Sequence, residues 1–102
     1  MRTVILYHPN AEFAGLVEDY KRDFEQRHPD RKVELVSLDE VKGDEMAKLY
    51  DVVRYPAILV IANDGQLQKL WQDQPFPLMD EVASYSMLSE NQNGGLAVSK
   101  QP

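Results

Sequence analysis

The polar residues with the clearest capacity for chemistry stand between a short apolar run and an amphipathic segment near the N-terminus. His8 and Glu12 lie four positions apart there, and an imidazole and a carboxylate can act together as a general acid and base. No candidate nucleophile or set of metal ligands accompanies them, and the other histidine, His28, stands far along the chain. The structural alternative is that His8 is simply a polar residue of a loop and that the negative charge of Glu12 stabilises the start of a helix through the helix dipole.

The backbone amides that follow Asn10 are a second candidate site. The first amides of a helix have no partner within the helix, and they bind anions for that reason. Glu12 opposes an anion at this place, and no basic side chain obviously supports one. We therefore expect Asn10 to cap the helix through its side-chain oxygen.

Cysteine is absent from all 102 residues. This absence excludes disulfide bonds, thiolate catalysis and cysteine-based zinc sites. We expect neither a metal nor a cofactor. The chain has no apolar run long enough to span a membrane, and its N-terminus has no signal-peptide cleavage site. The sequence therefore predicts a cytoplasmic protein that does not bind membranes.

The charge balance is acidic. The formal net charge is −6 at pH 7 and the sequence pI is about 4.8. Nucleic-acid binding depends on clustered lysine and arginine that neutralise phosphates, so we expect no nucleic-acid partner. The acidity is ascribed to solubility, with a basic partner as the alternative.

Hydrophobic patterning predicts an α/β domain with a four-stranded mixed sheet and helices on both faces. The predicted strands cover 4–7, 31–38, 57–62 and 66–72, in the spatial order second, first, third, fourth. The predicted helices run from Asn10 to about 28, from Glu45 to about 50 with Asp44 as N-cap, and from 78 to about 86. Apolar residues predicted to face the core include Phe13, Leu16, Val17, Tyr20, Phe24, Met46, Leu49 and Tyr50.

Two parts of the C-terminal half have more than one interpretation. Trp71, Phe76 and Tyr85 either complete the core or form an exposed apolar patch, and we favour the core. From Ser89 the composition becomes polar and glycine-rich, which is typical of a mobile tail. We therefore predict one domain over 1–88 and a flexible tail over 89–102.

Two segments resemble the thioredoxin and glutaredoxin families. Residues 50–60, Tyr-Asp-Val-Val-Arg-Tyr-Pro-Ala-Ile-Leu-Val, are similar to the thioredoxin segment that leads from a short helix through a cis-proline into a strand. Residues 7–14 are similar to the glutaredoxin pattern Tyr-x-x-x-Cys-x-x-Cys, with Ala11 and Ala14 at the two cysteine positions. The resemblance covers about 3–86 and implies the minimal thioredoxin-like β-α-β-α-β-β-α fold.

The resemblance implies a binding groove without redox chemistry. In the family, the backbone before the cis-proline pairs with an extended peptide or glutathione, and here that proline is Pro56 and the preceding residue is Tyr55. A bulky aromatic at this position departs from the family, and it either stacks on a ligand, blocks the groove or shields the core. The implied groove residues are His8, Pro9, Asn10, Glu12, Phe13, Tyr55 and Pro56.

Three explanations for the missing cysteines remain open at this level: a non-catalytic relative, a non-thiol activity, or an intentional replacement by alanine. The leading interpretation is a redox-inactive module that binds a protein or peptide, most simply as a monomer. The alternatives are a non-thiol enzyme that uses His8 and Glu12, and an oligomeric regulatory protein similar to the KaiB-type clock proteins.

Overall fold

The computed structural model describes residues 1–73 and 75–85. It contains, in chain order, β1 (Arg2–Tyr7), α1 (Ala14–Arg27), β2 (Val33–Ser37), α2 (Val41–Leu49), β3 (Ala57–Ile61) and β4 (Leu67–Gln72). A third helix, α3, occupies 79–85. The predicted β-α-β-α-β-β-α order is confirmed, whereas the predicted domain boundary after 88 and the tail 89–102 lie outside the described residues.

The four strands form one mixed sheet in the predicted order β2-β1-β3-β4. β1 pairs in parallel with β2 and antiparallel with β3, and β3 pairs antiparallel with β4. The turn between β3 and β4 places Gly65 at a φ of 91°, a conformation that glycine adopts without steric cost. This hairpin brings the end of β4 beside the start of β3, where the candidate site lies.

Two apolar layers pack on opposite faces of the sheet. Alternate residues of a strand point to opposite faces, so Ile5 packs with α1 and α3 while Val4 and Leu6 pack with α2. β3 is buried on both faces, as its continuous apolar run indicates. Trp71, Phe76 and Tyr85 pack against the α1 side of the core, partly buried.

Helix α1 begins later than predicted. Asn10 does not cap it, because residues 8–14 first form two successive hydrogen-bonded turns and the helix starts at Ala14. Two of the residues predicted to face the core do not do so. The exposed fraction of Phe13 is 40% and that of Leu16 is 48%, because Val17, Tyr20 and Phe24 occupy the buried face.

Helix α2 begins earlier than predicted, at Val41 rather than after Asp44. Gly43 therefore lies inside the helix, where it is buried against the end of β2. A Cβ atom at this position would stand 2.0 Å from the carbonyl oxygen of Ser37, so only glycine permits the contact. The prediction that Leu49 faces the core is wrong, since α2 buries Gly43 and Ala47 and leaves Leu49 73% exposed.

Candidate functional site

A small pocket forms where the C-terminal end of β1, the start of α1 and the loop before β3 meet. Its volume is about 50 Å³. The peptide bond between Tyr55 and Pro56 is cis, and both residues line the pocket. The full lining consists of Tyr7, His8, Ala11, Phe13, Ala14, Val17, Tyr55 and Pro56. Ala11 and Ala14, which the sequence comparison predicts to stand at the cysteine positions of the family, line this pocket together with the cis-proline.

The loop before Pro56 is held by the end of β4. The side-chain oxygen Oε1 of Gln72 accepts hydrogen bonds from the amides of Val53 and Arg54, at 2.8 and 3.1 Å. The amide of Asp73 donates to the carbonyl oxygen of Pro56 at 2.9 Å. These bonds attach both sides of the cis peptide to the neighbouring strand and fix the wall of the pocket.

The side chain of Tyr55 folds back along its own loop. Its hydroxyl donates a hydrogen bond to the carbonyl oxygen of Val52 at 3.0 Å, and its ring packs partly against the α2 side of the core. The imidazole of His8 lies edge-on to this ring, with centroids 5.5 Å apart. Tyr55 thus forms one wall of the pocket and does not fill it.

The backbone of Tyr55 differs from that of its neighbours. Its amide N–H and its carbonyl oxygen form no hydrogen bond with any residue among 1–73 and 75–85, whereas the preceding two amides are both bonded to Gln72. A backbone donor and acceptor that the described part of the chain leaves unbonded, in the loop before a strand, are the groups that an added strand uses.

The structure brings together only some of the predicted groove residues. His8, Phe13, Tyr55 and Pro56 line the pocket, and so do Ala11 and Ala14, which were predicted as the vacated cysteine positions. Pro9, Asn10 and Glu12 do not line it and are exposed on the turns before α1.

The predicted pair of His8 and Glu12 does not form within the described residues. The Nδ1 atom of His8 lies 3.5 Å from a carboxylate oxygen of Asp39, and both side chains are exposed. The amide of Leu38 donates to the carbonyl oxygen of Tyr7 at 2.9 Å, which carries the end of β2 to the end of β1 and brings Asp39 to His8. Glu12 forms no hydrogen bond or ion pair with residues 1–73 or 75–85.

Sequence reasoning missed four residues that shape this site: Tyr7, Val17, Asp39 and Gln72. The alternation of β1 and the periodicity of α1 place Tyr7 and Val17 on the pocket side, so they were within reach of a pattern-based prediction. The parallel pairing of β1 with β2 places Asp39, and the hairpin register places Gln72 opposite Ala57. The hydrogen bonds of Gln72 have no local sequence signal.

Metal binding, membrane spanning and thiol chemistry were also considered for the part of the chain that the structure covers. No group of three or more His, Asp or Glu side chains in 1–73 and 75–85 is arranged to hold a metal ion. Over the same residues, no helix is long and apolar enough to cross a membrane. Because the chain has no cysteine, its own side chains cannot carry out thiol–disulfide exchange.

The described residues have a thioredoxin-like fold, and the chain has no cysteine pair. A solved structure with this likeness is thioredoxin 1 from the thermophilic eubacterium Thermosipho africanus TCF52B. It matches with a TM-score of 0.64 and 10% sequence identity, covering 89% of this chain and 100% of that one. No protein-family model matches the chain, and no curated protein is similar to it in sequence. At 10% sequence identity, this likeness shows a shared fold and nothing about a shared activity.

Proposed function

We propose that this chain is a redox-inactive binding module that holds an extended peptide segment of another protein beside Tyr55 and Pro56. The observation that carries the proposal is an apolar pocket beside a backbone N–H and carbonyl of Tyr55 that have no hydrogen-bond partner among residues 1–73 and 75–85. The backbone groups offer two hydrogen bonds to an extended chain, and the pocket offers a place for one of its side chains. This is peptide recognition by strand addition.

The pocket sets the size and polarity of that side chain. A water molecule needs roughly 10–15 Å³ of such space, so a volume of about 50 Å³ accommodates one small aliphatic group. The lining is apolar apart from the His8 imidazole and the hydroxyls of Tyr7 and Tyr55, and the last of these already donates to Val52. Burial of an aliphatic side chain there removes apolar surface from water.

A display selection on the full-length chain tests the proposal. A library of random decapeptides is selected for binding, and the affinity of the recovered peptides is measured for the unmodified chain, for Tyr55→Ala and for Tyr50→Ala. Tyr50 is the matched control because it is also half-buried and also donates its hydroxyl to a backbone carbonyl, that of Gly65 at 2.7 Å. We expect Tyr55→Ala to weaken binding about tenfold or more and Tyr50→Ala to leave it unchanged.

Two results contradict the proposal. One is a selection that enriches no peptide over a blank matrix. The other is enrichment of peptides that bind Tyr55→Ala and Tyr50→Ala equally well, since the binding surface then lies elsewhere.

The two alternative functions have less support. A non-thiol enzyme lacks the predicted partnership of His8 with Glu12, and the exposed pair of His8 with Asp39 has no nucleophile bonded to it among the described residues. An oligomeric regulator predicts several copies in solution, which light scattering measures directly. A single-copy mass favours the binding module.

A further inference from the structure

A lysine ammonium lies in a corner formed by two aromatic side chains at the edge of the sheet. The Nζ atom of Lys69 lies over the ring of Trp71, 5.8 Å from its centroid, and over the ring of Tyr85, 5.9 Å from its centroid. The two rings stand nearly at right angles, at 84°, with centroids 5.5 Å apart. A cation within about 6 Å of a ring centroid is attracted by the negative face of the ring. One ammonium therefore interacts with two aromatic walls.

The sheet and α3 position the two rings. Lys69 and Trp71 are two positions apart on β4, so their side chains point to the same face, and β4 is an edge strand of the sheet. The rings of Trp71 and Tyr85 both pack against the α1 side of the core, in which Val82 of α3 is fully buried. The walls of the corner are thus held by core packing, and the corner itself lies at the border of the sheet.

Lys69 has no carboxylate partner among residues 1–73 and 75–85, although the chain has 17 acidic residues and a net charge of −6. Two other lysines show the usual arrangement, since the ammonium groups of Lys21 and Lys48 lie 2.8 and 2.9 Å from carboxylate oxygens. The ammonium of Lys69 lies over the two rings instead. This contact indicates the kind of group that the corner attracts, which is a cation without a paired anion.

Lys69 is an occupant that a better cation can replace. A lysine ammonium is compact and strongly hydrated, and it ends a flexible four-carbon stem. A quaternary ammonium sheds water more easily, and its methyl groups also cover apolar ring surface, which is why aromatic cages select methylated ammonium groups. The side chains of Lys69, Trp71 and Tyr85 are all partly exposed, so Lys69 can move into solvent when such a group takes its place.

We infer that the corner between Trp71 and Tyr85 is a binding site for a quaternary ammonium group, and that Lys69 occupies it when no ligand is bound. The ligand exchanges with Nζ over the rings, and no covalent bond forms or breaks. Such a group is found on small molecules of the choline type and on trimethylated lysine side chains of proteins. None of the three residues lines the pocket at Pro56, so this site is independent of the proposed function.

The fluorescence of Trp71 tests the inference, because this residue is the only tryptophan of the full-length chain. Choline is titrated at constant ionic strength beside 3,3-dimethylbutan-1-ol, which has the same shape and a carbon atom in place of the charged nitrogen. We expect a saturable change with choline and binding of the alcohol that is at least about tenfold weaker.

A second pair of ligands identifies the source of the group. The N-acetyl amides of trimethyllysine and of unmodified lysine are titrated in the same way. We expect the methylated compound to bind and the unmodified one to bind at least about fivefold more weakly, because it has no advantage over Lys69. Tighter binding of trimethyllysine than of choline assigns the site to a modified protein, and the reverse order assigns it to a small molecule.

Protein variants locate the site. Lys69→Ala removes the internal occupant and should tighten choline binding about threefold or more. Lys48→Ala is the matched control, because it removes the same charge from α2, where the ammonium pairs with Asp44. Tyr85→Leu removes one aromatic wall and should weaken choline binding about fivefold or more, whereas Tyr85→Phe keeps the ring and should bind choline as the unmodified chain does.

Three results would overturn the inference. The first is the absence of a saturable change with choline for both the unmodified chain and Lys69→Ala. The second is equal affinity for choline and the neutral alcohol, since the charge then contributes nothing. The third is equal choline affinity of Tyr85→Leu and Tyr85→Phe. If Tyr85→Leu does not fold, Lys69→Ala and Lys48→Ala decide, because equal affinities of these two variants contradict the exchange with Lys69.

Discussion

The amide of Ala14 donates a hydrogen bond to the carbonyl oxygen of Ala11 at 3.1 Å. This i+3 to i bond closes a turn, which keeps the two Cα atoms within about 7 Å of each other. The pair also stands where α1 begins, and the amides at a helix start favour negative charge. Short separation and a helix N-terminus are two conditions that favour a redox-active cysteine pair, which is why we expect these two positions to accept one.

The double variant Ala11→Cys, Ala14→Cys is therefore expected to gain dithiol chemistry. Disulfides join Cα atoms up to about 6.8 Å apart, and a thiol at a helix start has a lowered pKa that favours the nucleophilic thiolate. Reduction of a small aromatic disulfide by the reduced variant is the measurement, with the two single-cysteine variants as controls. We expect the double variant to turn over at least about tenfold faster with a regenerating reductant. Equal rates for the double and single variants would show that these positions are not a vacated redox pair.

Two glycines in helices are expected to respond oppositely to alanine. Gly43→Ala places a Cβ atom 2.0 Å from the carbonyl oxygen of Ser37, so α2 must shift from β2 and the free energy of unfolding should fall by about 3 kcal/mol. No heavy atom lies within 4 Å of the corresponding position at Gly15. Gly15→Ala should therefore stabilise the chain by about 0.5–1 kcal/mol through helix propensity. Urea denaturation measures both, and a destabilised Gly15→Ala would contradict this description of α1.

The end of α2 is a Schellman motif with aspartate at the position that glycine usually occupies. The amide of Val52 donates to the carbonyl oxygen of Ala47 at 2.8 Å, and that of Asp51 donates to Lys48 at 3.4 Å. Asp51 has a φ of 58°, in the left-handed region. Asp51→Gly should raise the free energy of unfolding by up to about 1 kcal/mol, whereas Asp51→Ala should lower it. Thermal denaturation compares the two, and the reverse order would exclude the left-handed conformation.

Acid sensitivity is expected from Glu25. Its carboxylate accepts hydrogen bonds from the Lys21 ammonium at 2.8 Å and the Val33 amide at 2.9 Å, and these bonds hold its pKa below the ordinary value of 4.5. Since the pKa is lower in the folded chain than in the unfolded one, the stabilisation is present above pH 4.5 and is lost as the pH falls through the folded value.

Glu25→Gln tests this linkage, because glutamine does not titrate. The variant should be less stable than the unmodified chain by about 1 kcal/mol at pH 7, and the difference should shrink as the pH is lowered below 4.5. Glu12→Gln is the control, since its carboxylate forms no hydrogen bond or ion pair with the described residues and the substitution should change the stability little. A difference for Glu25→Gln that stays constant from pH 7 to acid would contradict the assigned hydrogen bonds.

The sequence predicts the architecture well because local signals and topology agree. Apolar runs, the Asn-Asp-Gly turn and the proline segment give the element order and the strand order that the structure has. The errors come from contacts between distant residues. Gly43 is a helix breaker by propensity, yet it lies inside α2 because it fits against Ser37, which no local pattern reveals.

The site is predictable in outline only. The resemblance to the family singles out Ala11, Ala14, Tyr55 and Pro56, and all four line the pocket. Helix periodicity alone assigns Phe13 and Leu16 to the core, because it does not show which edge of a wide apolar face stays uncovered. Likewise, the partner of His8 is Asp39 because β1 and β2 are parallel and end together. The two residues are 31 positions apart in the sequence, so no local pattern indicates that they meet.

Hydrogen exchange of the Tyr55 amide tests directly whether a peptide adds as a strand beside Pro56. A peptide recovered from the library is added at saturating concentration, and exchange of individual amides is followed by NMR. If the peptide adds as a strand beside Pro56, the Tyr55 amide gains a hydrogen bond and its exchange should slow at least about tenfold. The amides of Val53 and Arg54 are already bonded to Gln72 and should change little. Unchanged exchange at Tyr55 with the peptide bound would contradict strand addition at this residue.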